Sequence, residues 1–220
     1  LKLGIIGGGQ LGKMLLQTSS KYSLLTKILD PSDDSPCKNL CDEFFLGDLM
    51  DYNAIYDFGK KCDLVTYEIE HVNVDALEKL ESEGITVYPK PSALRTIQDK
   101  SQQKKFFIDN NIPTAKYLYF KSNSEFLKYS KDNHVEFPCV WKKTKFGYDG
   151  YGVKKLNSIS EINKLVDCEF IIEEYIPFKK ELATTVVRND SGEIEIFPLV
   201  EMMFNPKTNQ VEYVLCPAQV

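Results

Sequence analysis

Three lysines run into three glycines at residues 142–152, which read Lys142-Lys143-Thr144-Lys145-Phe146-Gly147-Tyr148-Asp149-Gly150-Tyr151-Gly152. Backbone N–H groups in a glycine loop can cradle phosphates while a nearby lysine neutralises them. The segment lacks a Gly-Lys-Ser/Thr triplet, and a strand rather than a helix follows it. It is therefore either a β–loop–β cover over phosphates or a plain hairpin turn. A second glycine loop lies near the start, Gly7-Gly8-Gly9-Gln10-Leu11-Gly12. It fits G-x-G-x-x-G between a strand and a helix, and Asp30 follows about 20 residues on, where a dinucleotide fold holds its ribose. That loop alone allows an NAD-binding site or a tight turn with no ligand, and Asp30-Pro31 is also a turn signal.

Carboxylates supply the other candidate chemistry. Glu68 and Glu70 follow the apolar segment 63–67. They would share a face if that strand continued, because side chains alternate along a strand. They are open to a role in binding an amine or hydroxyl, or to capping the next helix. Phe170-Ile171-Ile172-Glu173-Glu174-Tyr175-Ile176 is an apolar run ending in acids, with Glu181 shortly after. An adenine needs a flat apolar slot with backbone donors and acceptors, and a carboxylate such as Glu181 suits ribose hydroxyls. Each acid taken singly also reads as a surface charge.

The elements that must position these residues change character along the chain. Residues 3–6, 24–29, 43–46, 63–67 and 85–88 read as short apolar strands. Residues 10–19, 52–61 and 74–82 between them have helical spacing, with Asn53 as a cap of the second helix. Strand and helix alternating in this way predict a doubly wound parallel sheet. Two further helices are predicted over 92–97 and 99–110. Beyond Pro113 strands dominate: 117–120, 140–143, 151–155, 169–173, 182–187, 194–200 and 211–215, with helices only at 124–131 and 160–166. Turns at 189–192 and 205–209 predict antiparallel hairpins. The expected fold is thus α/β followed by α+β.

With 27 basic and 32 acidic residues the chain has a net charge of −5, which argues against general nucleic-acid binding. Lysines still cluster locally, at 100, 104 and 105 and at 142, 143 and 145, as suits a small phosphorylated ligand. No apolar run reaches the about 18 residues of a membrane span. The first residues read as a strand and turn, not a signal peptide. The six cysteines and two histidines lack zinc-site spacing. Reduced cysteines and a cytoplasmic location are the expectation.

In combination, GGGQLGKML at 7–15, EIEHV at 68–72, PTA at 113–115, Lys142 with FGYDGYG at 146–152, IIEE at 171–174, Glu181 and Pro217-Ala218 resemble the ATP-grasp superfamily. Within it, the resemblance is to 5-(carboxyamino)imidazole ribonucleotide synthases of purine biosynthesis. The resemblance implies three parts: a Rossmann-like pre-ATP-grasp domain over 1–112, a small ATP-grasp lid over 113–178, and the start of the large ATP-grasp subdomain over 179–220. It implies ATP- and bicarbonate-dependent carboxylation of the amine of 5-aminoimidazole ribonucleotide through carboxyphosphate, with magnesium on the phosphates. Lys100 and Lys142 would contact ATP phosphates, and Gly147, Tyr148, Asp149, Gly150, Tyr151, Gly152 and Val153 would cover them. Glu173, Glu174, Tyr175 and Ile176 would line the adenine slot, largely through backbone atoms, and Glu181 would take the ribose. Gln10, Leu11 and Glu68 would face the ribonucleotide. Tyr148 and Asp149 would sit at the transferring group, where Asp149 could position the amine or accept its proton.

Two residues depart from the family pattern: Tyr151 stands where Arg or Lys is common, and Phe204, near the nucleotide, where many members carry histidine. The chain stops after a strand, before the family's metal-binding carboxylate and asparagine. The expectation is a longer gene product or a fragment, with this segment inactive alone. The resemblance also implies a homodimer acting on small molecules. Three alternatives stand beside it: a formate-using glycinamide ribonucleotide transformylase of the same superfamily, an NAD-dependent oxidoreductase, and a silent nucleotide-binding module.

Overall fold

The computed structural model describes residues 1–147, 152–205 and 210–220. The chain divides into two compact units, Leu1–Pro113 and Thr114–Val220. The first contains β1 (Lys2–Ile6), α1 (Gln10–Ser19), β2 (Leu25–Asp30), β3 (Glu43–Leu46), α2 (Tyr52–Gly59), β4 (Leu64–Tyr67), α3 (Val74–Ser82), β5 (Thr86–Val87), α4 (Pro91–Gln98) and α5 (Lys100–Asp109). Its five strands form one sheet in the order β3-β2-β1-β4-β5, and every pairing is parallel.

Both faces of this sheet are covered, which is why its strands read as apolar runs rather than alternating ones. On one face Leu3, Ile5 and Ile28 pack with Leu16 of α1 and with Cys37. On the other, Ile6, Leu29 and Val65 pack with Ile55 and Phe58 of α2 and Leu77 and Leu80 of α3. Side chains at consecutive positions such as Ile5 and Ile6 therefore enter different cores. Helix starts are fixed by short polar side chains that accept otherwise unpaired N–H groups. Asp51 receives the Ala54 N–H at α2, so the cap is Asp51 rather than the expected Asn53, which lies inside the helix. Asn73 receives Ala76 at α3, and Asp99 receives Ser101 and Gln102 at α5.

The second unit contains β6 (Tyr117–Phe120), α6 (Asn123–Asp132), β7 (Cys139–Lys143), β8 (Val153–Leu156), a 3-10 turn (Ile159–Lys164), β9 (Phe170–Glu174), β10 (Glu181–Ala183), β11 (Val186–Arg188), β12 (Ile194–Ile196), β13 (Val200–Phe204) and β14 (Val211–Leu215). A four-stranded antiparallel sheet has the order β6-β9-β7-β8. Phe120, Cys139, Trp141, Phe170 and Ile172 on one of its faces pack against Phe126 of α6 and Ile162 of the 3-10 turn. A three-stranded sheet runs β10-β13-β14, and β11-β12 form a separate ribbon. The expected strands over 182–187 and 194–200 are each broken in two, so β10 and β13 pair with each other while β11 and β12 pair apart. The turn at 189–192 closes that ribbon, with Gly192 at φ 86°. Asn205 and Gln210 bracket the other hairpin through a 2.9 Å N–H···O bond.

Candidate functional site

In the first unit the strand order reverses direction about β1, whose neighbours are β2 and β4. In an open α/β sheet the carboxyl ends at such a point form the ligand crevice. The first glycine loop leaves β1 there, and its donors are already used. The Gly7 N–H donates to the Leu29 carbonyl at 2.9 Å, the Gly8 N–H to Asp30 Oδ2 at 2.7 Å, and the Gly9 N–H to Glu68 Oε1 at 3.2 Å. Gly7 has φ +96°, and a Cβ there would lie 2.7 Å from Glu68 Oε1, so only glycine fits this close approach. Asp30 Oδ1 accepts the Ser32 N–H at 2.8 Å. Both Asp30 oxygens thus hold backbone, and the side chain is buried. Asp30 is a staple of the loop, not the ribose acceptor that an NAD site would require.

Gln10 and Leu11 open α1 on the exposed side of this loop, and the half-buried Glu68 lies against Gly9. Lys100 opens α5 in the same unit and is half-buried. The strand does not continue through the two acids: β4 ends at Tyr67, and Glu70 is exposed. Gln98 secures the loop instead, its Nε2 donating to the carbonyls of Glu70 at 2.7 Å and Val72 at 2.8 Å. This staple joins groups far apart in sequence and has no local signal. Tyr67 itself donates its hydroxyl to the Pro89 carbonyl at 3.1 Å. Burial pushes that phenol up to about 12.

In the second unit Lys142 and Glu173 lie on the face of the four-stranded sheet opposite its core. Register places Lys155, Val140 and Glu173 in one row, and Val153, Lys142 and Ile171 in the next. Lys142 Nζ lies 2.5 Å from Glu173 Oε2, with 29% of the lysine side chain exposed and 6% of the glutamate. Glu173 therefore brings a buried carboxylate to this face, beyond the backbone role expected for it. The glycine loop leaves β7 through a stapled neck. The Lys143 N–H donates to the Gly152 carbonyl at 2.8 Å and the Thr144 N–H to the Glu169 carbonyl at 3.1 Å. Gly152 has φ +81°. Tyr148, Asp149, Gly150 and Tyr151 lie outside the described residues. Gly147 is half-buried and Val153 exposed, at the two ends of the loop.

β9 ends at Glu174. Glu174 accepts the Lys116 N–H at 2.8 Å. The half-exposed Tyr175 ring carries the Lys155 ammonium 3.8 Å from its centroid, and Ile176 is exposed. Lys155 was not singled out from sequence, although strand alternation from Val153 puts it on this face. Glu181 pairs with Met202 across β10 and β13, and Phe204 pairs with Val211 across β13 and β14. Both are half-buried. A second buried acid, Glu201, is held by Lys180 at 2.9 Å. Among the described residues no group of three or more His, Cys, Asp or Glu side chains could hold a metal ion, and no helix is long and apolar enough to cross a membrane.

Comparison with known proteins matches residues 1–98 to the ribonucleotide synthetase preATP-grasp domain and residues 105–220 to the ATP-grasp domain. N5-carboxyaminoimidazole ribonucleotide synthase of Synechococcus elongatus is 32% identical over 223 residues, covering 99% of this chain and 55% of the relative. The crystal structure of N5-carboxyaminoimidazole ribonucleotide synthetase from Thermotoga maritima superposes with a TM-score of 0.84 at 35% identity, over 100% of this chain and 56% of that one. A synthase from Aspergillus clavatus, in complex with ADP and 5-aminoimidazole ribonucleotide, superposes with a TM-score of 0.82 at 32% identity, over 93% of this chain and 54% of that one. The chain spans about half the length of curated synthases it matches. Two consecutive domain matches, the second over more than half of the chain, make it a member of the ATP-grasp family, similar along its whole length to N5-carboxyaminoimidazole ribonucleotide synthases.

Proposed function

We propose that this chain forms the ribonucleotide-facing domain and part of the ATP site of an enzyme that carboxylates the amine of 5-aminoimidazole ribonucleotide. The observation that carries the reading is the Aspergillus clavatus neighbour, of the same fold, which holds ADP and that ribonucleotide. In the reaction a bicarbonate oxygen attacks the γ-phosphorus of ATP and ADP leaves. The ribonucleotide amine then attacks the carboxyl carbon of carboxyphosphate, phosphate departs with the C–O electron pair, and the nitrogen loses a proton. Catalysis of such a transfer is mainly positioning and charge neutralisation.

The residue roles follow. Lys142 faces the phosphates from β7, and Lys100 contributes a second positive charge. The loop from Gly147 to Val153 covers the phosphates and excludes water. The backbone of Glu173 to Ile176 takes the adenine edge, Glu181 the ribose, and Phe204 lines the nucleotide side of β13. Gln10, Leu11 and Glu68 face the ribonucleotide, whose anionic group would lie toward the exposed start of α1 rather than the occupied N–H groups of Gly7 to Gly9. Tyr148 and Asp149 stand at the transferring group, where Asp149 orients the amine or takes its proton. Magnesium would neutralise the phosphates when bound, but the described residues offer it no cage, and no ligand in this chain is assigned to it.

Amide resonances of the chain titrated with ADP test the first half of the reading. Shifts confined to Lys100, residues 142–176, Glu181 and Phe204, with no response to NAD, are the expected result. An absence of response at millimolar ADP would refute it. Phosphate release from ATP by the protein as its gene encodes it, with bicarbonate and with or without aminoimidazole ribonucleotide, tests the second half. Release independent of the ribonucleotide would refute the carboxylation.

A further inference from the structure

Glu173 and Lys142 come from different strands, and the antiparallel register of β7 and β9 makes them diagonal neighbours on one face: Val140 is opposite Glu173, and Lys142 is opposite Ile171. Lys142 stands opposite Ile171 and Val153, both apolar, so neither offers it a competing acceptor, while Glu173 stands between Val140 and Tyr117. The other face of the same strands is filled by Trp141, Phe170 and Ile172, which fixes both backbones. The 2.5 Å contact joins a lysine whose side chain is 29% exposed to a glutamate whose side chain is 6% exposed. The acid is therefore beneath and the cation at the rim.

We propose that Glu173 is a positioning residue: through its carboxylate it holds the Lys142 ammonium at the open face, ready to receive the phosphates of a nucleotide. This rests on the nucleotide-binding reading above. Lysine is a flexible stem carrying a compact charge with three donors. Free, it must be ordered each time a ligand binds, and that ordering subtracts from affinity. Held by Glu173 it uses one N–H and keeps two for phosphate oxygens. Only a ligand that places an oxygen at the two remaining N–H groups gains a charge-assisted bond.

A merely structural acid, or one that touches the base directly, would behave differently, and the two can be separated by ligand choice and by a double-mutant cycle. ADP and adenosine affinities are measured by titration calorimetry for the wild-type chain, Glu173→Gln, Lys142→Met and the double variant. The expected result for Glu173→Gln is a roughly tenfold loss for ADP, the size of one lost charged hydrogen bond, with adenosine unchanged. In the Lys142→Met background the same substitution should alter ADP affinity by less than about twofold, because acid and lysine act as one unit. The Lys142 side-chain Cε resonance should also move toward that of a free lysine in Glu173→Gln, with no nucleotide present. Equal losses for ADP and adenosine, or additive losses in the cycle, would overturn the proposal. Wild-type chain that fails to bind ADP would instead overturn the nucleotide reading beneath it. Should Glu173→Gln fail to fold, Glu173→Asp keeps the charge and withdraws it by one methylene. It carries the same test with a smaller expected ADP loss.

Discussion

The loops that follow β1 and β7 both carry glycines at short spacing, yet their polar atoms are deployed in opposite ways. After β1 the N–H groups of Gly7, Gly8 and Gly9 are taken by a carbonyl and by the carboxylates of Asp30 and Glu68. These two acids repel phosphate from Gly7 to Gly9 and leave it no donor there. After β7 the neck is closed by backbone bonds of Lys143 and Thr144, and a lysine paired below by Glu173 stands at its base. Glycine spacing alone therefore says that backbone must turn tightly or approach closely. The charge of the groups that meet the loop decides whether an anion can enter.

Removing Asp30 tests this contrast with the largest expected effect. Asp30→Ala leaves the buried Gly8 N–H and the partly buried Ser32 N–H without their acceptor. Hydrogen bonds to a charged group contribute about 1.5–3 kcal/mol each, so a stability loss of about 3 kcal/mol in urea unfolding is expected, with no gain of NAD binding. A loss below about 1 kcal/mol would show that the first loop holds its shape without the acid. On the other side of the contrast, Gly152→Ala places a Cβ at φ +81°, 3.3 Å from the Gly147 Cα. A left-handed non-glycine residue costs about 1–2 kcal/mol, so a stability loss near 1 kcal/mol and a few-fold loss of ADP affinity are expected. Unchanged ADP affinity would mean that the neck of the second loop need not be held for binding.

Much of the fold was legible because burial writes itself into periodicity. Strands buried on both faces gave apolar runs at residues 3–6 and 63–67, and β1 and β4 occupy 2–6 and 64–67. Where burial is slight the reading weakened. The strands expected over 182–187 and 194–200 are each split, and Val186, Val187, Ile194 and Ile196 are all more than half exposed. Without a packed face, alternation carries little information about where pairing starts and stops. The site was legible by residue type but not by partner. Spacing put Asp30 where a ribose acceptor belongs, but it cannot say whether a carboxylate turns out to solvent or in to the Gly8 N–H. Asp51 and Asn53 are both good cap residues, and the choice rests on one backbone torsion. The pairing of Lys142 with Glu173 depends on a strand register that neither segment contains by itself.

The smallest effect reads the charge of the first loop directly. Cys37 is buried under α1, and its thiol is pushed up to about 11, first by burial, then by the charges of Cys41, Asp30 and Glu68, with Lys13 opposing. The nucleophile in alkylation is the thiolate, so Cys37 should resist iodoacetamide at pH 8, while the exposed Cys216 reacts first. The folded thiol ionises later than the ordinary value of 9.0. Stability from this group is thus complete below about pH 9 and falls as pH rises toward 11, because the unfolded chain loses its proton first. Asp30→Asn keeps the size of the side chain and one of its two acceptors while removing one of the two nearby carboxylate charges, so the onset of Cys37 alkylation should move to lower pH by a fraction of a unit. Burial, the larger cause, remains, which is why the shift is small. An onset that does not move would mean that Asp30 sets the loop's geometry but not its potential, and exclusion of phosphate from Gly7 to Gly9 would then rest on their occupied N–H groups alone.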